Sequence, residues 1–435
     1  MVFSETFYAL TFPAITFAYL NSRKSPTKDV GDIKKERNQA DKAEMAKVQE
    51  YNRFRNKYLV VLCTVMAGDW LQGPYVYSLY RSHGLEMNAI SILLVTGFLS
   101  SAVFGALVGS ISDQYGRKRS CLWFTVLYSI ASILATIPNF PLLMIGKIIG
   151  GISTSLLYSV FESWMVSQHF KEGFTTPMLS QTFSWGTFLN GLIAILCGLF
   201  ADSLVSRAGN SAPFYAAIVV FFTGAVLIYS LWNENYGNTE KSEKTTDALL
   251  NSLKQITQDR RIALVGMLQV LFEGAMFSVI SLWGPILEAA SVDQKELPYG
   301  IIFSSFMVSM MIGSLSFQYL CDRQWSITDI GKICFLVSGL ALISTKLIQT
   351  QNWIFWCFNA FEFACGMYFP MMGTLRSNYI PENSRSTIMN LFGIPLNIFV
   401  ATILLLSANT SATSLLTVCS MNLLAAFGRL FCVGA

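Results

Sequence analysis

Gly109-Ser-Ile-Ser-Asp113-Gln-Tyr-Gly116-Arg117-Lys118-Arg119 joins one apolar stretch, beginning near Ala89, to another that begins near Cys121. Gly109 permits close helix contact and Gly116 permits a tight turn. Asp113 can pair with Arg117 or cap a neighbouring helix N-terminus. A short loop rich in basic residues between two long apolar runs predicts a turn at the cytoplasmic surface of a membrane, where Lys and Arg accumulate.

Working outward, apolar stretches of about 18 to 25 residues, long enough to span a bilayer, recur along the chain. The first set begins near Tyr58, Ala89, Cys121, Pro141, Met178 and Pro213, and the second near Ile262, Pro298, Ile330, Trp353, Thr387 and Ala412. With 53% apolar and only 13% charged residues, the chain has too few ionic groups to dress a soluble globule, so lipid is its main solvent. The formal charge of +4 gives no reason to expect a nucleic-acid partner. The nine cysteines lie mostly within apolar runs, without metal-ligand spacing, and read as small buried hydrophobes. No phosphate-cradling glycine loop, metal cluster or nucleophile triad is present, and the only histidines are His83 and His169. An enzyme, a metal or cofactor protein and an ATP-driven pump are therefore not expected.

The expected organisation is an N-terminal anchor helix over residues 1–20, a basic cytoplasmic linker over 21–57 and a six-helix bundle over 58–232. A cytoplasmic linker over 233–261 and a second six-helix bundle over 262–435 complete it. Assigning alternate loops to opposite faces collects Arg117, Lys118, Arg119, Lys171, Arg323, Lys332, Arg376, Arg385 and Arg429 on one side, with Arg81, Arg207, Lys295 and Lys346 opposite. The basic side is expected to face the cytoplasm. Asp69 and Gly109 recur as Glu273 and Gly313 at one offset of 204 residues (273−69 and 313−109), which points to an internal repeat.

An ionisable group in a spanning helix costs something like 2.5 to 3.5 kcal/mol on insertion scales, so each needs a reason to be there. Asp69, Lys147, Glu162, Glu273 and Glu362 are such groups. Glu162 is the one closest to the cytoplasmic end of its helix and the readiest to serve a structural role.

The loop quoted first resembles the major facilitator signature G-x-x-x-D-x-x-G-R-[RK]-[RK], and Gly146-Lys147-Ile-Ile-Gly150-Gly151 is similar to that family's helix-4 pattern. In the second half, Gly313-Ser-Leu-Ser-Phe317 departs from the signature by carrying Phe317 in place of the acid. Asp69-Trp-Leu-Gln72-Gly-Pro-Tyr75, Phe161-Glu-Ser-Trp164, Gly300-Ile-Ile-Phe-Ser-Ser-Phe306 and Ala364-Cys-Gly-Met-Tyr-Phe-Pro370 resemble the molybdate-anion transporter branch of that superfamily.

The resemblance implies an all-α membrane protein with the major facilitator fold: two six-helix bundles, here with an additional N-terminal transmembrane helix. It implies a monomeric multi-pass protein of the cell membrane that takes up molybdate or a related oxyanion by alternating access. Gly109, Asp113, Gly116, Arg117 and Arg119 would latch the halves on the cytoplasmic side. The first, fourth, seventh and tenth core helices would line the cavity. A tetrahedral dianion needs cationic, amide and hydroxyl donors, for which Lys147, Gln72, Tyr75, Gln269 and Asn390 are candidates. Acids outnumber bases in this set, so Asp69, Glu162, Glu273 and Glu362 are candidate cavity charges that bind protons or pair with Lys147. Aligning Gly151 with Gly366 sets Glu362 opposite Lys147 and suggests that pair. A proton-coupled carrier of another polar or organic solute, and a receptor built on a transporter fold, are the alternatives.

Overall fold

A computed structural model of the protein describes Phe3, Glu5, Phe7, Leu10 and Thr11, and then residues 37–237, 245–291, 297–381, 385–407 and 410–430. Among these residues the chain is helical and has no strand. Helices α1 (Arg37–Gln72), α2 (Val76–Ser82), α3 (Met87–Tyr115), α4 (Arg117–Ala135), α5 (Phe140–Lys171), α6 (Thr176–Ala208) and α7 (Ala212–Leu231) form the first half. A linker helix α8 (Thr245–Gln258) leads to α9 (Arg260–Ala289), α10 (Tyr299–Asp322), α11 (Ile327–Leu347), α12 (Gln351–Tyr379), α13 (Arg385–Leu406) and α14 (Ala412–Leu430). Six long helices thus precede α8 and six follow it. Eight described helices are long and apolar enough to cross a membrane, and two shorter apolar ones lie within α13 and α14.

Punctuation in the sequence sets the helix ends. Gly116 and Gly209, at φ 107° and 80°, stop α3 and α6 in a backbone region that L-residues avoid. Asn139 and Ser326 cap α5 and α11 with their side-chain oxygens. One boundary differs from expectation, because the polar linker before Tyr58 is already helical from Arg37. Its Ala, Lys, Glu, Gln and Arg residues favour helix, and Tyr51 fastens the extension: it is 2% exposed and donates to the Met178 carbonyl at 2.7 Å. The described residues of the expected anchor helix are helical. Phe7 packs on Ile195 and Val308, and Phe3 on Phe355. The rest of 1–20, residues 21–36 and 238–244, Lys295, and the side chains of Arg385, Asn390 and Arg429 lie outside the described residues.

The packing repeats itself. In the first half α3 packs on α5, α4 on α5 and α7, and α1 on α6 and α7. In the second half α10 packs on α12, α11 on α12 and α14, and α9 on α13 and α14, which repeats the first-half pairs; an α9–α12 contact is added there. Between the halves, α6 meets α10 and α3 meets α13, and these two contacts also exchange under the shift. The offset seen in Asp69 and Glu273 therefore reflects a two-fold relation of whole bundles.

Small residues set the tightest crossings, as in membrane bundles generally. Gly151 of α5 abuts the backbone of α3 at Gly97 and Ser101, and Gly366 of α12 abuts the Met310 carbonyl of α10. A methyl at Gly366 would strike backbone that has no rotamer to change. Gly366→Ala is expected to destabilise the purified protein by about 1–3 kcal/mol, read as a fall in melting temperature. Gly393→Ala, where added atoms meet open space, should leave it unchanged.

Candidate functional site

The face away from the basic loops carries the bonds between halves. Tyr77 and Tyr299 both donate to Glu288, at 3.0 and 2.5 Å, joining α2 to α9 and α10. Tyr75 donates to Asp202 at 2.8 Å and accepts from the Gly300 amide at 3.3 Å. Ser304 donates to the Ile195 carbonyl at 2.9 Å, and Ser91 and Ser407 are 3.0 Å apart. Gly198 and Gly300 bring α6 and α10 into backbone contact between these bonds. Tyr75, a candidate substrate donor, is 2% exposed and belongs to this seam.

Deeper in the bundles, the charged groups separate into distinct environments. Asp69 accepts a hydrogen bond from Tyr128 of α4, inside the first half. Gln72 donates to the Gly68 carbonyl at 3.0 Å and accepts from Ser132 at 2.8 Å, so its amide is occupied by its own half. Lys147 does not pair with Glu362; its ammonium lies 5.2 Å from the centre of the Tyr80 ring, a cation–π contact near the start of α5. Glu362 is 5% exposed on α12 and makes no hydrogen bond or ion pair with a described residue. The expected pairing fails because Tyr80 of α2 supplies the lysine with a partner in its own half.

Glu273 behaves differently. Its carboxylate accepts from Arg376 at 2.8 Å, from Tyr368 at 3.0 Å and from Gln269 at 3.2 Å. Of the candidates, the structure thus brings Gln269 and Glu273 together. Arg376 was assigned to a basic loop by its position near the end of a run. It lies inside α12, three residues before the helix ends at Tyr379, and its long side chain carries charge inward. Helix length, 29 residues from Gln351, is the signal that could have found it.

On the basic face, Arg117 grips Asp113 at 2.8 Å. The loop is held by the first residues of the central linker. Glu234 accepts from the Lys118 and Arg119 amides at 2.8 and 3.2 Å, Asn235 accepts from the Arg117 amide at 3.0 Å, and the Gly237 amide donates to the Asp113 carbonyl at 3.0 Å. Gly116 and Gly237 make room for the strap, since a side-chain atom on either would strike Glu234 or Asp113. Trp232 stacks on Trp164 at 3.8 Å, and the Trp164 indole donates to the Asn233 carbonyl at 2.8 Å. A basic triplet at a helix N-terminus opposes the helix dipole, and the Glu234 carboxylate offsets it. Between loop, strap and α5 lies a cavity of about 500 Å³ lined by Arg117, Glu162, Ser163, Val166, Ser167 and Tyr236. Glu162 is exposed to this cavity and makes no hydrogen bond with a described residue.

A family model described as sugar transporters, 12 TM, matches residues 30–352. The molybdate-anion transporter of Xenopus laevis is 31% identical over 399 residues, covering 88% of this chain and 86% of that protein. The chain belongs to the major facilitator superfamily, in the molybdate-anion transporter branch. A Takifugu rubripes protein of the same name is 29% identical over 379 residues, covering 80% of this chain and 78% of that one. The fold agrees with two solved structures. The POT family transporter PepTSo matches at TM-score 0.71 and 11% identity over 88% of this chain and 97% of that one. The nucleoside transporter NupG matches at 0.66 and 11% over 88% and 98%. This member of the superfamily is a multi-pass membrane transporter and not an enzyme.

The strap generates a test on the isolated protein. Glu234→Ala removes the carboxylate from the start of α4 and is expected to cost about 1–2 kcal/mol. A lowered melting temperature measures it, and an unchanged one would show that water replaces the cap.

Proposed function

We propose that this transporter carries a tetrahedral oxyanion of the molybdate class to its basic, cytoplasmic face by alternating access, together with protons, as a monomer. The names of its relatives support the substrate. One observation carries the mechanism: between described residues, the hydrogen bonds that link the halves all lie toward the face opposite the basic loops. A pair of bundles tied along one face, with a glycine contact as pivot, can open toward the other. The proposed halves run over residues 58–232 and 262–435, and Phe7 of the proposed anchor segment packs on Ile195 of α6 and Val308 of α10. Tyr75 closes the outer face on this reading; of the other donors named from the sequence Gln269 stays proposed for the anion, whereas Gln72 and Lys147 are engaged within the first half and the Asn390 side chain lies outside the described residues. The loop Gly109, Asp113, Gly116, Arg117 and Arg119 is proposed to latch the basic face in the opposite state.

Proton entry offsets the charge of a dianion crossing the membrane. Charge balance of a dianion calls for two protons, and Glu362, a buried carboxylate without a partner, is proposed as one of the acids that take them; Asp69, Glu162 and Glu273 are the other proposed cavity charges. Proteoliposomes loaded at neutral pH are expected to accumulate radiolabelled molybdate when the outside is acidified, with sulfate and an organic solute as competitors. Absence of molybdate flux would end the oxyanion reading. Glu362→Gln should keep molybdate exchange across the membrane yet lose accumulation driven by the pH gradient; retained accumulation would remove Glu362 from coupling.

The outer seam gives a separate outcome. Spin labels at exposed Arg81 and Lys346, one in each half, should move apart in Gly300→Val, because the added side chain meets the Gly198 backbone. An unaltered distance would exclude the Gly198–Gly300 contact as the pivot.

A further inference from the structure

Three donors from two helices converge on one carboxylate at Glu273. Arg376 Nη2 and the Tyr368 hydroxyl meet one oxygen, and Gln269 Nε2 meets the other. Charge-assisted donors gathered around a single acceptor are how proteins hold an oxyanion. The cluster is also incomplete. Arg376 Nε is buried with no hydrogen-bond partner, and so is Gln269 Oε1. A buried donor and acceptor left unmade beside an ion pair are unfavourable, and a tetrahedral oxyanion bearing one proton could satisfy both.

The position suits a solute. Glu273 stands one helical turn before Phe277, whose ring meets Phe98 of the first half at 5.4 Å, so this face of α9 is turned toward the other bundle. On α12, Gly373 lies one turn before Arg376, and a side-chain atom added there would meet nothing within 4 Å. The Arg376 side chain is itself 24% exposed, so the cluster is not sealed. Tyr368 is held for its role by a parallel stack on Phe272, with ring centres 4.0 Å apart. A planar guanidinium with several donors in a fixed fork is the side chain suited to bidentate oxyanion recognition.

We infer that Arg376, Tyr368 and Gln269 form the seat of the transported oxyanion, occupied in this conformation by the Glu273 carboxylate. This rests on the oxyanion reading above and names the site for it. The arriving anion displaces Glu273 from the three donors. The freed carboxylate, left without partners in a low-dielectric interior, takes a proton from the water that admitted the anion. Anion and proton are then bound together, and exit of the anion lets Glu273 release the proton and return to Arg376.

Purified full-length protein tests this through equilibrium binding of radiolabelled molybdate, with tungstate, sulfate and phosphate as competitors, beside melting temperatures. Loss of a charged donor should raise the molybdate Kd by about 10- to 100-fold in Arg376→Gln, with Arg376→Lys between it and the native protein. Glu273→Gln removes the competing charge, so the Kd should fall and become nearly independent of pH. Gly373→Leu fills the open space and should block binding with little change in melting temperature. A folded Arg376→Gln that binds and transports molybdate as the native protein does would overturn the seat while leaving the oxyanion reading standing. Native protein that binds none of the four anions would sink both. Should Arg376→Gln fail to fold, Glu273→Gln and Gly373→Leu decide: native Kd and native pH dependence in both variants would refute the assignment.

Discussion

An ionised side chain within a bilayer must find a partner inside the protein, and the way each half meets that demand shapes this transporter. In the second half Glu273 is met by an arginine, a tyrosine and a glutamine. In the first half the equivalent acid, Asp69, has a hydrogen bond from Tyr128. The two positions are related by the repeat, yet their electrostatic surroundings differ. A carboxylate bound to a tyrosine can exchange a proton without breaking an ion pair. One bound to arginine cannot, unless another anion takes its place. The repeat supplies a common scaffold on which the two acids have acquired different partners.

Glycine contacts give the repeat its rigidity. Gly151 against α3 and Gly366 against α10 sit at equivalent crossings and hold the paired helices of each half at backbone distance. Gly198 and Gly300 make the same kind of contact between halves, on one face. Close packing without long side chains leaves few rotamers to rearrange, so motion is concentrated where such contacts are sparse.

Much of this was legible in the chain. Apolar runs long enough to span a bilayer marked the membrane helices. The offset linking Asp69 to Glu273 anticipated the repeated packing. Interior acids stood out because little else is charged there. Partners were harder to read, since they depend on which helices touch. Tyr128 and Tyr368 are ordinary tyrosines until α1 meets α4 and α9 meets α12. Lys147 looked like a match for Glu362 by alignment, but the short helix α2 brings Tyr80 to it first. Arg376 is not legible as an interior charge because an arginine near a helix end ordinarily anchors at the surface, although its side chain is long enough to carry charge a full turn inward, here to Glu273.

The signature loop shows how the same residues answer to local physics before they answer to function. Arg117, Lys118 and Arg119 begin α4, where the helix dipole is positive and three cations are least welcome. Glu234 and the backbone of Asn235 and Gly237 resolve that conflict from the start of the central linker. The loop is therefore fastened to the first residues of the central linker, Glu234 to Gly237. The second half, with Phe317 at the matching position, has no acid there through which the linker could act. The strapped, acid-bearing loop is thus a feature of the first half, while the densest set of donors around one carboxylate, at Glu273, lies in the second.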